Sequence, residues 1–82
     1  MKVRVQLFSY LRTVTGTAEL TVELPAGATV AGLLEDLYGR WPQLAEMDRA
    51  LLIAVGVEFA QREDGLREGD VVALMPPVQG GC

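Results

Sequence analysis

Histidine is absent from this chain of 82 residues, cysteine occurs once, and aromatic residues make up 6% of it. Without histidine, the chain lacks both a common metal ligand and the side chain that most readily exchanges protons near neutral pH. The single cysteine, Cys82, cannot form an internal disulfide, and one thiolate is too few for a zinc site or an iron–sulfur cluster. We therefore predict that the chain binds no metal and no cofactor, and that it has no catalytic apparatus of its own.

Basic residues are also few, since seven lysines and arginines stand against eleven acidic residues and give a net charge of −4. This balance argues against the basic surface that nucleic acids require. No apolar run approaches the length of a membrane span, and the amino terminus alternates apolar with charged residues, unlike a signal peptide. We predict one small cytoplasmic domain with no nucleic-acid or membrane partner.

Alternating apolar residues predict strands at 2–8, 19–24 and 71–75. In the first of these strands Phe8 falls on the polar side, which leaves it either covered by the next segment or available to a partner. Ser9 is predicted to cap a short helix that ends at Gly16. The run 51–55 is apolar throughout and predicts a central strand that is buried on both faces.

One amphipathic helix stands out after Thr29, which is a suitable N-cap. It should end before Trp41 and Pro42, because the residue before a proline is disfavoured in the helical region. Gly56 should provide a turn before a short strand that contains Phe59. The core-facing residues of the helix recur at helical spacing: Val30, Leu33, Leu34, Leu37 and Tyr38.

The last seven residues, Pro76 to Cys82, differ in character from the rest of the chain. Pro76 and Pro77 each fix φ and remove a backbone donor, so the chain must leave the sheet after Met75. Gly80 and Gly81 have no side chain that would obstruct a narrow channel. We predict a folded domain over 1–75 and an extended tail over 76–82.

The segment Pro76-Pro77-Val78-Gln79-Gly80-Gly81 resembles the carboxyl end of the small sulfur-carrier subunit of molybdopterin synthase. Matching segments at 2–8, 11–16, 51–55 and 66–72 extend the resemblance over nearly the whole chain. The resemblance implies an α+β, ubiquitin-like β-grasp fold, in which a mixed sheet of four to five strands packs on one main helix.

The same resemblance implies a chemistry for the tail. An adenylating enzyme would use ATP to activate the Gly81 carboxylate, and sulfur transfer would leave a thiocarboxylate there. The tail would then enter the large catalytic subunit of the synthase and donate sulfur to a pterin precursor. Gly80 would be the narrow approach to that site. The remaining predicted partner-binding residues are Phe8, Phe59, Met75, Pro76, Pro77, Val78 and Gln79.

Cys82 departs from this pattern, because the family ends at the second glycine. With a residue attached, the Gly81 carbonyl is an amide and cannot be adenylated. Three explanations stay open: a peptidase removes Cys82, Cys82 does not belong to the natural chain, or its thiol itself carries sulfur.

Two other functions compete with this one. The same tail chemistry would serve thiazole synthesis for thiamine, tRNA thiolation, or conjugation to lysines as a ubiquitin-like modifier. Alternatively, the domain is an interaction module whose apolar surface binds partners and whose tail has no role.

Overall fold

The computed structural model describes residues 1–77, in which five strands form one mixed sheet in the order β2-β1-β5-β3-β4. The predicted sheet of four to five strands with one main helix is confirmed. The tail residues 78–82, including Val78, Gln79, Gly80, Gly81 and Cys82, lie outside the described residues. The elements are β1 (Lys2–Leu7), α1 (Tyr10–Thr15), β2 (Glu19–Glu23), α2 (Val30–Arg40), α3 (Pro42–Ala45), a 3-10 turn (Asp48–Ala50), β3 (Leu52–Val55), β4 (Glu58–Phe59) and β5 (Val71–Met75).

The first and last strands pair in parallel at the centre of the sheet. Val5 lies opposite Val72, and Leu7 lies opposite Leu74. The outer pairs, β1 with β2 and β5 with β3, are antiparallel. Parallel neighbouring strands need a long crossover connection. The chain between β1 and β5 includes α2, which crosses the sheet between β2 and β3.

The core lies between the sheet and α2. Side chains alternate between the two faces of a strand, so every second residue of β1 and β5 points toward the helix. Leu66, in the loop before β5, fills the core from the side and is 5% exposed. The fully or almost fully buried residues are Val3, Val5, Leu7, Leu11, Val22, Leu24, Val30, Leu33, Leu34, Leu37, Leu44, Leu51, Ile53, Leu66, Val72 and Leu74.

Helix α2 begins and ends where the sequence predicts. The Thr29 hydroxyl accepts a hydrogen bond from the Gly32 N–H at 3.3 Å, as an N-cap does. The N–H groups of Val30 and Ala31 donate to carbonyls of the 61–64 loop at 2.9 Å, which satisfies donors that a helix start leaves free. Within residues 1–77, neither this helix nor any other has the length and apolar composition to cross a membrane.

Two local predictions are wrong. Ser9 does not cap α1 with its side chain; instead it has φ 56° and ψ −131°, and the Leu11 N–H donates to the Phe8 carbonyl at 3.1 Å. These values match the second residue of a type II′ turn, a position that normally takes glycine. The run 51–55 is not buried on both faces either, because the side chain of Leu52 is 40% exposed while Ile53 is buried.

A polar cluster ties α2 to the loops beside it. The Tyr38 hydroxyl donates to Asp48 Oδ1 at 2.5 Å, and Arg62 Nη2 lies 3.2 Å from the same oxygen. Arg62 also donates to the Asp48 backbone carbonyl. Burial and this hydrogen bond raise the pKa of Tyr38, and the bond from Tyr38 holds the pKa of Asp48 below its usual value. The cluster is therefore sensitive to acid through Asp48.

Replacing Leu37 by alanine should destabilise the fold by about 2–5 kcal/mol, because it leaves a cavity beneath the centre of α2. The measurement is urea unfolding followed by circular dichroism. Glu35→Ala, on the exposed face of the same helix, is the matched control and should stay within about 0.5 kcal/mol of the parent. A Leu37→Ala protein as stable as the control would contradict the placement of this helix.

Tyr38→Phe should raise the pKa of Asp48 toward its usual value, because the strongest contribution that favours the charged carboxylate is removed. A depressed carboxyl pKa stabilises the fold above the unfolded-state value, and that stability is lost as the pH falls through the folded-state value. The variant should therefore lose less stability than the parent between pH 6 and pH 2. Carboxyl NMR titration of Asp48, paired with unfolding at each pH, measures both effects. An unchanged Asp48 titration would show that Tyr38 does not control it.

Candidate docking face and tail base

The outer face of the sheet, opposite α2, carries a continuous group of apolar side chains. On β5, Val72 and Leu74 point into the core, so Ala73 and Met75 must point outward. Phe8 follows the buried Leu7, and its N–H donates to the Leu74 carbonyl at 3.2 Å. The alternation of β1 thus leaves Phe8 on the outer face, where it is 40% exposed.

The strand register extends this group across two more strands. Leu52 lies opposite Met75, and Ala54 lies opposite both Ala73 and Phe59. Phe59 is 76% exposed on the short edge strand β4. We call the outward-facing set the apolar patch, and its members are Phe8, Leu52, Ala54, Phe59, Ala73 and Met75.

The other half of the same face is polar. Arg4 and Glu19 form an ion pair at 2.5 Å between β1 and β2, and Thr21 lies opposite Arg4. The apolar patch therefore has a polar border along the β1–β2 side. An exposed apolar group with a polar rim is typical of a protein-binding surface.

The base of the tail adjoins the apolar patch. Strand β5 ends at Met75, and Pro76 and Pro77 are half-buried. An open cleft of about 660 Å³ lies at this end of the sheet. It is lined by Phe8, Ser9, Tyr10, Met47, Met75, Pro76 and Pro77.

The Ser9 turn shapes this cleft. A type II′ turn reverses the chain within two residues, so α1 can start at once and place Leu11 in the core. Phe8, on the other side of the turn, stays outward. The turn therefore lets Leu11 lie in the core while Phe8, three positions earlier, lies on the surface.

The site residues predicted from the sequence divide into two groups. The structure brings Phe8 and Met75 together with Pro76 and Pro77 at the cleft, and it places Phe59 across the sheet on the same face. Val78, Gln79, Gly80 and Gly81 remain predictions, because they lie outside the described residues.

Sequence reasoning missed Leu52 as a surface residue. Its strand is apolar at every position, so periodicity cannot assign a face. The pairing register with β5 distinguishes the two faces. Residues that lie opposite the outward-facing Ala73 and Met75 must themselves point outward.

The described part of the site offers a mainly apolar binding surface. Within residues 1–77, no three histidine, cysteine or acidic side chains come together as metal ligands. The patch side chains are hydrocarbon or thioether, so their contribution is apolar area and shape.

Comparison with known proteins gives a consistent result. A family model described as the ThiS family matches residues 5–81. The molybdopterin synthase sulfur carrier subunit of Chlamydomonas reinhardtii is 34% identical over 83 residues, which cover 99% of this chain and 100% of that protein.

Solved structures share the fold along almost the whole chain. A putative molybdopterin converting factor, subunit 1, from Pyrococcus furiosus is 34% identical, with a TM-score of 0.87 over 95% of this chain and 99% of that one. SAMP1 of Haloferax volcanii, a small archaeal modifier protein, is 28% identical, with a TM-score of 0.85 over 99% of this chain and 100% of that one. With a family-model match from residue 5 to residue 81 and solved structures that share its fold over almost the whole chain, the chain belongs to the ThiS family and has its ubiquitin-like β-grasp fold.

Proposed function

We propose that the chain is the sulfur carrier subunit of a molybdopterin synthase. The observation that carries the proposal is the apolar patch, which runs without a break into the base of a tail that contains Gly80-Gly81 before Cys82. A relative that matches this chain over its full length bears the same name. Together these features support a domain that docks on a larger protein and delivers its terminus there.

The proposed chemistry takes place at Gly81. On an adenylating enzyme, a Gly81 carboxylate oxygen attacks the α-phosphorus of ATP, pyrophosphate leaves, and an acyl adenylate forms. Sulfur at the oxidation level of sulfide then attacks the carbonyl carbon, the C–O bond to AMP breaks, AMP departs with that oxygen, and a thiocarboxylate remains. ATP is bound by the activating enzyme, and the chain holds no cofactor of its own. We propose the cytoplasm as the compartment, because this activation consumes ATP.

The proposed partner is the large subunit of the synthase, which would cover the apolar patch. Burial of apolar surface would supply the binding energy, while the prolines at the tail base limit the conformational entropy that is lost when the tail enters a channel. The large subunit would carry the catalytic groups that transfer sulfur to the pterin. Removal of Cys82 by a peptidase would expose the Gly81 carboxylate before activation.

SAMP1, one of the similar structures, is a small archaeal modifier protein, so the alternative to be tested is that the activated tail is joined to lysines of other proteins. Both functions need Gly81 to be activated, so detection of activation alone does not separate them. The fate of the thiocarboxylate does: a carrier transfers its sulfur and returns to a carboxylate, whereas a modifier stays attached to its target.

The decisive experiment starts from a chain that ends at Gly81 and carries a thiocarboxylate installed by intein cleavage with sulfide. We expect this protein, mixed with the large subunit from the same genome and the pterin precursor, to return to the carboxylate form by intact mass while sulfurated pterin appears. The chain that ends at Cys82 is the matched control, because it has no thiocarboxylate at Gly81. A thiocarboxylate that survives, on a domain with native circular dichroism and a large subunit known to be active, would contradict the proposal.

Phe59→Asp should weaken binding to the large subunit by about 10- to 100-fold, since losing the burial of one large apolar side chain costs about 1.5–3 kcal/mol. Isothermal titration calorimetry measures the change. Because Phe59 is 76% exposed, the variant should keep its fold.

Thr21→Asp, which places the same charge on the polar half of the same face, is the control and should bind within about threefold of the parent. Equal affinities for the two variants would show that the apolar patch is not the docking surface.

A further inference from the structure

Side-chain amines are almost missing from this chain. Of its seven lysine and arginine residues, only Lys2 is a lysine. A neutral lysine amine is a nucleophile, whereas the arginine guanidinium stays protonated and does not attack acyl groups under ordinary conditions. Lys2 is therefore the one side chain whose amine an activated carboxyl terminus can acylate.

The fold places Lys2 at the far end of the sheet from the tail. Strands β1 and β5 run in parallel, so the start of β1 lies at one end while the base of the tail lies at the other. Six residues of strand separate Lys2 from the level of Phe8 and Met75, a distance of ~20 Å. The four residues that follow Pro77, up to Gly81, span at most ~14 Å when fully extended. Only a fully stretched tail and a fully stretched lysine could meet, and that arrangement has a large entropic cost.

The terminal amine lies at the same far end and is engaged there. The Met1 ammonium donates to the Leu24 carbonyl at 2.7 Å, and the Leu24 N–H donates to the Met1 carbonyl at 2.8 Å. Leu24 thus contacts both the ammonium and the carbonyl of Met1 at the end of the sheet opposite the base of the tail.

Close to the tail, the cationic residues are arginines. Arg12 is exposed on α1 and lines a shallow groove with Phe8. Arg49 is exposed two residues beyond Met47, which lines the cleft at the tail base. Both positions carry positive charge without an acylatable amine.

We infer that the fold holds Lys2, the one side-chain amine, where its own activated tail could meet it only when both are fully extended, so that Lys2 is in practice an acylation site for the tail of another molecule. The inference rests on the proposed function in one respect, since it needs a carboxyl terminus that is activated as an adenylate or a thioester. In the reaction, the neutral Lys2 nitrogen attacks the Gly81 carbonyl carbon of a second copy and a C–N bond forms. The bond to the leaving group breaks with its electron pair, and the nitrogen loses its proton to the buffer.

A chemically activated chain tests this without any activating enzyme. The chain through Gly81 is prepared as the thioester of 2-mercaptoethanesulfonate by intein cleavage, and its decay at pH 8 is followed by intact mass. Hydrolysis gives the free acid, and intramolecular acylation gives a product that is lighter by one water. With protein at about 10 µM, an amine in reach at an effective concentration of about 1 mM should react roughly 100-fold faster than an amine on another molecule.

Three arginine-to-lysine variants provide the comparison. Arg12→Lys and Arg49→Lys, near the tail, should give the cyclised product, while the parent should give only the acid. Arg67→Lys is the matched control, because its loop bonds to the start of β1 through the Gly69 N–H and the Lys2 carbonyl. It should behave like the parent.

At high protein concentration the parent should form a linked dimer through Lys2, as peptide mapping would show, and Lys2→Arg should abolish it. Cyclisation of the parent or of Arg67→Lys at the rate of Arg12→Lys would overturn the inference. So would a failure of both Arg12→Lys and Arg49→Lys to cyclise, or a dimer that persists in Lys2→Arg. Since the thioester is installed chemically, each of these results is independent of whether the chain carries sulfur in molybdopterin synthesis.

Discussion

The alternation of side chains along β5, in register with β1 and β3, is the constraint on which the rest of this molecule depends. Val72 and Leu74 complete the core beneath α2, and this fixes the opposite direction for Ala73 and Met75. The strand that completes the core therefore also completes the apolar patch. A register shift of one residue would expose Val72 and Leu74 and bury Met75, so the core and the apolar patch depend on the same pairing.

The parallel pairing of β1 and β5 adds a second consequence, which concerns position along the strands. Both strands end on the same side of the sheet, so Phe8 and Met75 meet where the chain enters Pro76. An antiparallel arrangement would place the residue after β1 at the opposite end. Proximity of the patch to the tail thus follows from topology and needs no contact specific to the tail.

Most of the fold could be predicted from the sequence, because its elements carry strong local signals. The apolar spacing and cap of α2, the alternation of β1 and the glycine at the end of α1 all predict what is observed; Gly16 has φ 77° and Gly56 has φ 65°. Ser9 and Leu52 could not be predicted in this way. Serine normally signals a helix cap, and only the need to keep Leu11 inside and Phe8 outside selects the unusual turn. Leu52 lies in an apolar run whose inner and outer faces are distinguished only by the neighbouring strand.

The candidate site likewise has a part that the sequence predicts and a part that depends on how the strands pair. The tail residues were predicted from composition and resemblance, whereas the extent of the patch required register information that no single strand contains.

The pairing of Met1 with Leu24 also has a practical meaning for anyone who handles this protein. A surface tether or a bulky label attached through residue 1 would lie at the end of the sheet opposite Pro76, so immobilised molecules would all turn the cleft beside Phe8 and Met75 toward solution.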